Sequence, residues 1–393
     1  MKLPKKFLIA PLAAAVLACA SLAVRTGSAP EAVANFTGGG DAAEIPAQFM
    51  DNLVFLSARV NQGSPSLFQL NTTAETSSLA PSRAAELGRT EIGSSVLNFE
   101  GLDVSLPALP LRADDGFGSR VGQPYQATAG NDFLSSVSIE IDYARETVRA
   151  FSAGSYKYSG KGGSAFALKV SPGLPVIPVH VELQRGKAIE GNFLVNTSLD
   201  ASLLLSSKFL REHKRVGDRG RVIAAIDPIT GEAGATIGKP RQVKLGALLP
   251  EDVLVTFSDA DLPDAGVPII GEIGAGMLRR FVTSFDFPHH QLILTPAAHF
   301  TDSDQEDKSG LLIVGKGPDY KRFEVVDVQP RTPASEAGIQ KGDVIAGVDA
   351  EAAADLSLLV TRDLFRQVGH KYKLVVERDG QTKEISLQMR RYF

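Results

Sequence analysis

At 393 residues the chain is long enough for two or three domains, and 44% apolar with 22% charged residues is the balance of a folded rather than a disordered protein. A formal net charge of −4 with no long basic run excludes the electrostatic footprint of a nucleic-acid binder. Abundant Gly (37) and Pro (22) point to a β-rich chain with many turns.

Residues 1–24 read as an export signal: three lysines lie in Met1 to Lys6, and Phe7 to Val24 is apolar apart from Ser21. The run is short for a spanning helix, and Pro11 inside it weakens that alternative further. Cys19, the only cysteine, fits two processing routes. Val16-Leu17-Ala18-Cys19 resembles a bacterial lipobox, which would lipidate Cys19 and attach the protein to a membrane as an outer-membrane lipoprotein. Ala18-Cys19-Ala20 is equally an A-x-A site for ordinary signal peptidase. Both routes stay open, and both place the protein in the periplasm or cell envelope. Neither leaves a disulfide to form, so the exported chain depends on its core. Residues 25–45 are Gly/Ala/Pro-rich with little hydrophobic pattern and predict a flexible tether.

The region from about 46 to 300 is two copies of one unit. Setting Asn71 against Asn196 matches Phe68 with Phe193, Leu70 with Val195 and Thr72 with Thr197. Eleven residues on, Ser82-Arg83 matches Ser207-Lys208, each opening a short helical pattern. In a second block Gly130 to Leu134 matches Gly274 to Leu278, Asp142-Tyr143 matches Asp286-Phe287, and Val148 matches Leu292. The spacing predicts lobe one at 46–155, a connector at 156–173 and lobe two at 174–300. Each lobe opens with an alternating strand, then a polar turn, a short helix and several Gly-punctuated strands.

This pattern resembles bacterial aspartic peptidases of the retropepsin-like type, with both lobes in one chain. The resemblance implies a mainly β, bilobal pepsin/retropepsin-like fold, with an Asp-Thr-Gly turn in each lobe and a later apolar-apolar-Gly turn bracing it. Ile269-Ile270-Gly271 matches the later turn in lobe two, and Thr128-Ala129-Gly130 is a weaker match in lobe one. In the family two aspartates share one proton and activate a water. Here Asn71 and Asn196 occupy those positions, and Thr73 and Ser198 replace the glycines. A carboxamide can hold a water but has no proton to exchange near neutral pH. The resemblance therefore implies that the dyad is silent. Thr72 and Thr197 are expected to lock the two turns together. Glu75 and Asp200 stand at an offset where retroviral relatives hold substrate main chain, and also read as ordinary solvated turn acids.

Residues 301–308 are acidic and predict a linker. Beyond it, PASEAGIQKGDVI (333–345) is very like the PDZ domains of bacterial envelope proteins, which makes 309–393 an α+β PDZ domain. Gly338 suits a helix C-cap, Gly342-Asp343 a tight turn, and Asp379-Gly380 a two-residue hairpin turn. The resemblance implies capture of a protein C-terminus by strand addition. The loop Gly310, Leu311, Leu312 and Ile313 would hold the carboxylate, with Leu311 and Ile313 lining the side-chain pocket; Leu312 equally reads as core. His289-His290 reads as a solvated turn, no metal motif accompanies it, and no cofactor motif is present. Ile92 to Phe99 is the candidate flap of lobe one.

The sequence thus predicts an exported protein that binds an extended peptide or a protein C-terminus without cutting it. An active endopeptidase using other acids, and an envelope scaffold that binds through the PDZ domain alone, are the alternatives.

Overall fold

The computed structural model describes residues 31–89, 93–114, 116–168, 174–230 and 232–392. The export signal with Cys19, the first part of the predicted tether, Ile92 and residues 169–173 lie outside the described residues. The architecture is mainly β, with two lobes followed by a PDZ domain.

In lobe one, strand Pro65–Leu70 is held between two neighbours. It runs antiparallel to Leu53–Val60 (Phe55 opposite Gln69) and parallel to Ala127–Ala129 (Phe68 opposite Ala127). Lobe two repeats the arrangement. Strand Lys187–Asn196 runs antiparallel to Val176–Gln184 and parallel to Gly271–Gly274, with Phe193 opposite Gly271. Each strand delivers an Asn-Thr turn from a position where alternate residues are locked into core: Phe68, Leu70, Phe193 and Val195 are fully buried. A strand flanked on both edges has no free backbone groups and little freedom, so the turn that follows is held rigidly.

The lobes join through a six-stranded antiparallel sheet, with strands in the order Ser164–Ala167, Gln291–Pro296, Phe281–Asp286, Ser138–Asp142, Thr147–Phe151 and Ala42–Ile45. Its centre pairs the corresponding strands of the two copies, from Ser138 opposite Asp286 to Asp142 opposite Val282. Ser138 Oγ also donates to Asp286 Oδ1 at 2.8 Å.

Two segments expected as connections are part of this framework. Within the predicted tether, Val33–Phe36 pairs with Leu102–Leu106, and Ala42–Ile45 pairs with Thr147–Phe151. Their partners are sheet edges about 70 and 105 residues away, so the pairing leaves little local periodicity to read. Within the connector, Ser164–Ala167 forms the outer strand of the joining sheet.

The PDZ domain has a six-stranded sheet, with Leu311–Lys316, Arg322–Val328, Val344–Val348, Lys371–Arg378 and Gln381–Gln388 in that order and the short strand Glu351–Ala352 paired to Val344–Val348, which leaves Leu311–Lys316 at an edge. Thr332 caps helix Pro333–Glu336 in a capping box, and Ser357 caps helix Leu358–Phe365. Gly338 and Gly342 adopt φ of +78° and +91°, and Asp379 and Gly380 both take the positive φ of a two-residue hairpin turn, as the sequence predicts.

The predicted linker is tied down. Asp304 accepts from buried Arg280 at 2.9 Å and from the Leu254 N–H at 2.8 Å, and buried Lys308 pairs with Glu306. Acids that read as solvated spacers are ligands for a buried guanidinium and for backbone N–H groups. No helix among the described residues is long and apolar enough to cross a membrane.

Candidate functional site

The two Asn-Thr turns are bound back to back across the lobe boundary. Thr72 N–H donates to Thr197 Oγ1 and Thr197 N–H donates to Thr72 Oγ1, both at 3.1 Å. Each hydroxyl then donates onward across the boundary, Thr72 to the Val195 carbonyl at 2.6 Å and Thr197 to the Leu70 carbonyl at 2.7 Å. All four bonds are buried, where each partner would be costly to leave alone. The lock expected of Thr72 and Thr197 is present with two-fold regularity.

Asn71 and Asn196 follow the same rule. Asn71 Oδ1 accepts from the Thr73 N–H at 2.9 Å and the Thr73 hydroxyl at 2.7 Å. Asn196 Oδ1 accepts from the Ser198 N–H at 2.9 Å and the Ser198 hydroxyl at 2.7 Å. Thr73 and Ser198 thus each supply a hydroxyl to the amide oxygen two residues back. The amide edge that could polarise a water is engaged within its own turn.

Beyond Asn196 lies a residue that sequence reasoning passed over. Asn196 Nδ2 donates to Glu272 Oε2 at 2.7 Å, and Glu272 is 2% exposed. Burial pushes its carboxyl up to about 7, with the Asn196 amide pulling the other way. Its place follows from strand register. Gly271 lies opposite Phe193 as Ala127 lies opposite Phe68, so the lobe-one counterpart of Ile269-Ile270-Gly271 is Tyr125-Gln126-Ala127 rather than Thr128-Ala129-Gly130. Glu272 then corresponds to Thr128, whose hydroxyl bonds Tyr125 at 2.9 Å. The only available signal was an acid inside an otherwise apolar and glycine run, IIGEIG.

The two candidate acids, Glu75 and Asp200, separate. Glu75 is exposed. Asp200 lines a cavity of about 900 Å³, within the usual range for a ligand site. Its walls come from lobe one (Asp51, Arg120), lobe two (Ser198, Asp200, Ile223) and the PDZ domain (Leu311 to Ile313, Arg362, Arg366). Asn71 and Asn196 are not among its lining residues. Burial, then the neighbouring Asp51 charge, raises the Asp200 carboxyl above its ordinary value, while Arg362, Arg120 and Arg366 oppose the shift. Arg366 Nη1 lies 3.5 Å from Asp51 Oδ1. Facing Asp200 are therefore the arginines of the chain's own PDZ helix.

The candidate flap also finds a place. Ser95–Phe99 is an interior strand of the lobe-one sheet, between Leu53–Val60 and Leu102–Leu106, with Leu97 and Phe99 buried. The hairpin overlooking the cavity belongs to lobe two: Val222–Ile226 with Ala233–Gly238.

In the PDZ loop, Gly310 has φ +81°, and a Cβ there would meet Thr332 Oγ1 at 2.2 Å, so glycine is required twice over. Its N–H and that of Ser309 donate to Asp307 Oδ1 at 2.5 and 2.8 Å, and the Leu311 N–H donates to Ser309 Oγ at 2.9 Å. An internal carboxylate thus organises the start of the loop, and burial raises Asp307 to about 6. Leu311, Leu312 and Ile313 are all buried and all line the cavity. No cluster of three or more potential metal ligands occurs among the described residues.

The class these features define is a bilobal acid-protease fold carrying a C-terminal PDZ domain. In sequence, residues 300–389 match the PDZ domain family. No curated protein matches the chain. Among solved structures, the photosystem II D1 C-terminal processing protease is 30% identical over 22% of this chain, with a TM-score of 0.21. That match spans 24% of the processing protease's own length. An aspartic proteinase from Irpex lacteus is similar over 66% of this chain and 98% of its own, at 14% identity and a TM-score of 0.43. A retropepsin-like aspartic protease from Rickettsia conorii is similar over 35% of this chain and 95% of its own, at 20% identity and a TM-score of 0.26. These overlaps are partial, and the fold assignment rests on the sheet topology and the paired turns.

Proposed function

We propose that this is an exported peptide-binding protein, a pseudo-peptidase whose lobes and PDZ domain serve recognition rather than cleavage. The observation that supports this most is the intact double-threonine lock around two amide-bearing turns. The framework that would aim a dyad is retained. Neither Asn71 nor Asn196 can take up or release a proton, so general acid–base attack on a peptide bond has no agent there. The partner would be an extended chain or a free C-terminus, held by the PDZ loop at Leu311 to Ile313 and by the interlobe cavity around Asp200. Export to the periplasm or cell envelope, with or without a lipid on Cys19, is part of the same proposal.

One observation bears on the active-peptidase alternative. Glu272 is the carboxyl bonded to a dyad position, yet at 2% exposure it is engaged with the Asn196 amide instead of facing the cavity. It offers a single acid where the reaction needs two. The proposal is tested by pull-down from a decapeptide pool with free C-termini, followed by mass spectrometry. Enrichment of intact peptides with no fragments over hours is the expected result. Recovery of cleaved fragments contradicts it, as does the absence of any enriched peptide from both the wild type and variants with the PDZ groove opened.

A further inference from the structure

A PDZ peptide lies between the edge strand and the long helix, its N–H groups donating to carbonyls of that strand. In this chain the strand is Leu311–Lys316, the helix is Leu358–Phe365, and the space between them is already taken. Helix Phe117–Val121 of lobe one packs there with Gly122. Ser119 Oγ donates to the Gly315 carbonyl at 2.7 Å. Arg362 Nη1 donates to the Arg120 carbonyl at 2.8 Å, and its Nη2 to the Ile313 carbonyl at 2.9 Å. Two carbonyls of the edge strand are thus engaged, that of Gly315 by lobe one and that of Ile313 by the PDZ domain's own Arg362, which in turn holds the lobe-one helix.

The fit is close and built from glycines. A Cβ on Gly122 would lie 2.5 Å from Leu358 Cβ, and a Cβ on Gly315 would lie 3.2 Å from Gly122 Cα. One polar defect accompanies it: Arg120 Nη1 is buried with no hydrogen-bond partner among the described residues. Such an orphan donor opposes the docked state and favours exchange for a better occupant.

We infer that Phe117 to Gly122 is an internal competitor for the PDZ groove, displaced by a peptide with a free C-terminal carboxylate and an apolar last residue. The apolar preference comes from Leu311, Ile313 and Phe365, which wall the end of the groove that opens into the cavity. The same displacement breaks the Arg362–Arg120 bond, at a wall that the PDZ helix shares with the interlobe cavity. A groove that is free only part of the time binds with an affinity reduced by the free fraction. The inference rests on the peptide-binding reading above.

The test uses the full chain and a fluorescein-labelled decapeptide pool ending in Val, Leu or Ala, with an amidated pool as control. Hydrogen exchange is followed at 117–122 and 311–316. Two variants loosen the helix without altering the PDZ walls: Ser119→Glu sets a carboxylate against the Gly315 carbonyl, and Gly122→Leu drives a side chain into Leu358. Expected are at least tenfold tighter binding by both variants, and in wild type a peptide-induced rise in exchange at 117–122 with a fall at 311–316. Peptide binding to wild type that leaves 117–122 protected overturns the inference while the peptide-binding reading stands. So do variants that expose 117–122 and bind no tighter. Equal binding of the amidated pool overturns the carboxylate assignment. Failure of wild type and both variants to bind overturns the peptide-binding reading itself.

Discussion

At the scale of single residues, the proposed pseudo-peptidase site is a pair of locked turns that carry amides, which do not exchange protons near neutral pH. Thr73 and Ser198 supply hydroxyls to the amide oxygens of Asn71 and Asn196. The threonine lock is expected to be worth more than its separate bonds. Thr72→Val leaves the Thr197 N–H without its acceptor in a buried place, for a loss of about 2 kcal/mol, with Thr197→Val costing about the same. The double variant is expected to cost less than the sum, a coupling measurable by urea unfolding of the four chains of the cycle. Glu272 predicts a pH dependence. Its carboxyl is raised from 4.5 to about 7 in the folded chain, so the folded state keeps a proton that the unfolded state loses. Stability is therefore highest below about pH 4.5 for this group and falls as pH rises toward 7, by about 3 kcal/mol in total. Asp307, raised to about 6, slopes the same way. Glu272→Gln keeps an acceptor for Asn196 and is expected to flatten this part of the slope, read from thermal midpoints between pH 5 and 8.

At the scale of elements, what could be read from sequence followed from what is local. The Asp379-Gly380 hairpin and the turn glycines Gly338 and Gly342 are short-range signals, and all are where the pattern puts them. The repeat exposed both Asn turns because equal spacing survives even when residues change. Three things were hidden. Strands Val33–Phe36 and Ala42–Ile45 take their order from distant edges. The brace of lobe one sits at Ala127, where no glycine marks it, and only register reveals the match. Glu272 was masked because an acid in a glycine run reads as a turn. Gly271 shows what the marked brace does: a Cβ there would lie 2.1 Å from the Leu204 carbonyl oxygen and 2.5 Å from the Phe193 ring. Gly271→Ala is expected to force lobe two apart locally and lower stability by about 3 kcal/mol or more, measured by denaturant titration. The segment 301–308 makes a matching prediction. Asp304→Ala strands the fully buried Arg280 guanidinium without its carboxylate, for a loss of about 3–5 kcal/mol in the same titration.

At the scale of the whole molecule, the lobes and the PDZ domain are not independent. The PDZ helix sets Arg362 and Arg366 beside the acids Asp51 and Asp200, and the cavity has walls from all three parts of the chain. No sequence pattern could show this, because docking depends on the shapes of surfaces formed by residues nearly 250 positions apart, such as Arg120 and Arg362. Replacing Arg366 by Met is expected to loosen the PDZ domain from the lobes, seen as increased proteolytic nicking near residues 301–308 with the PDZ core unchanged. The central claim is that two amides in a preserved lock bind a chain and do not cut it. It is tested most directly by assaying peptidolysis from pH 3 to 8 for the wild type and for a variant carrying Asn71→Asp, Thr73→Gly, Asn196→Asp and Ser198→Gly. Cleavage by the variant alone is the predicted result. Cleavage by wild type with both amides confirmed by intact mass, and lost when either position is changed to Ala, would contradict it.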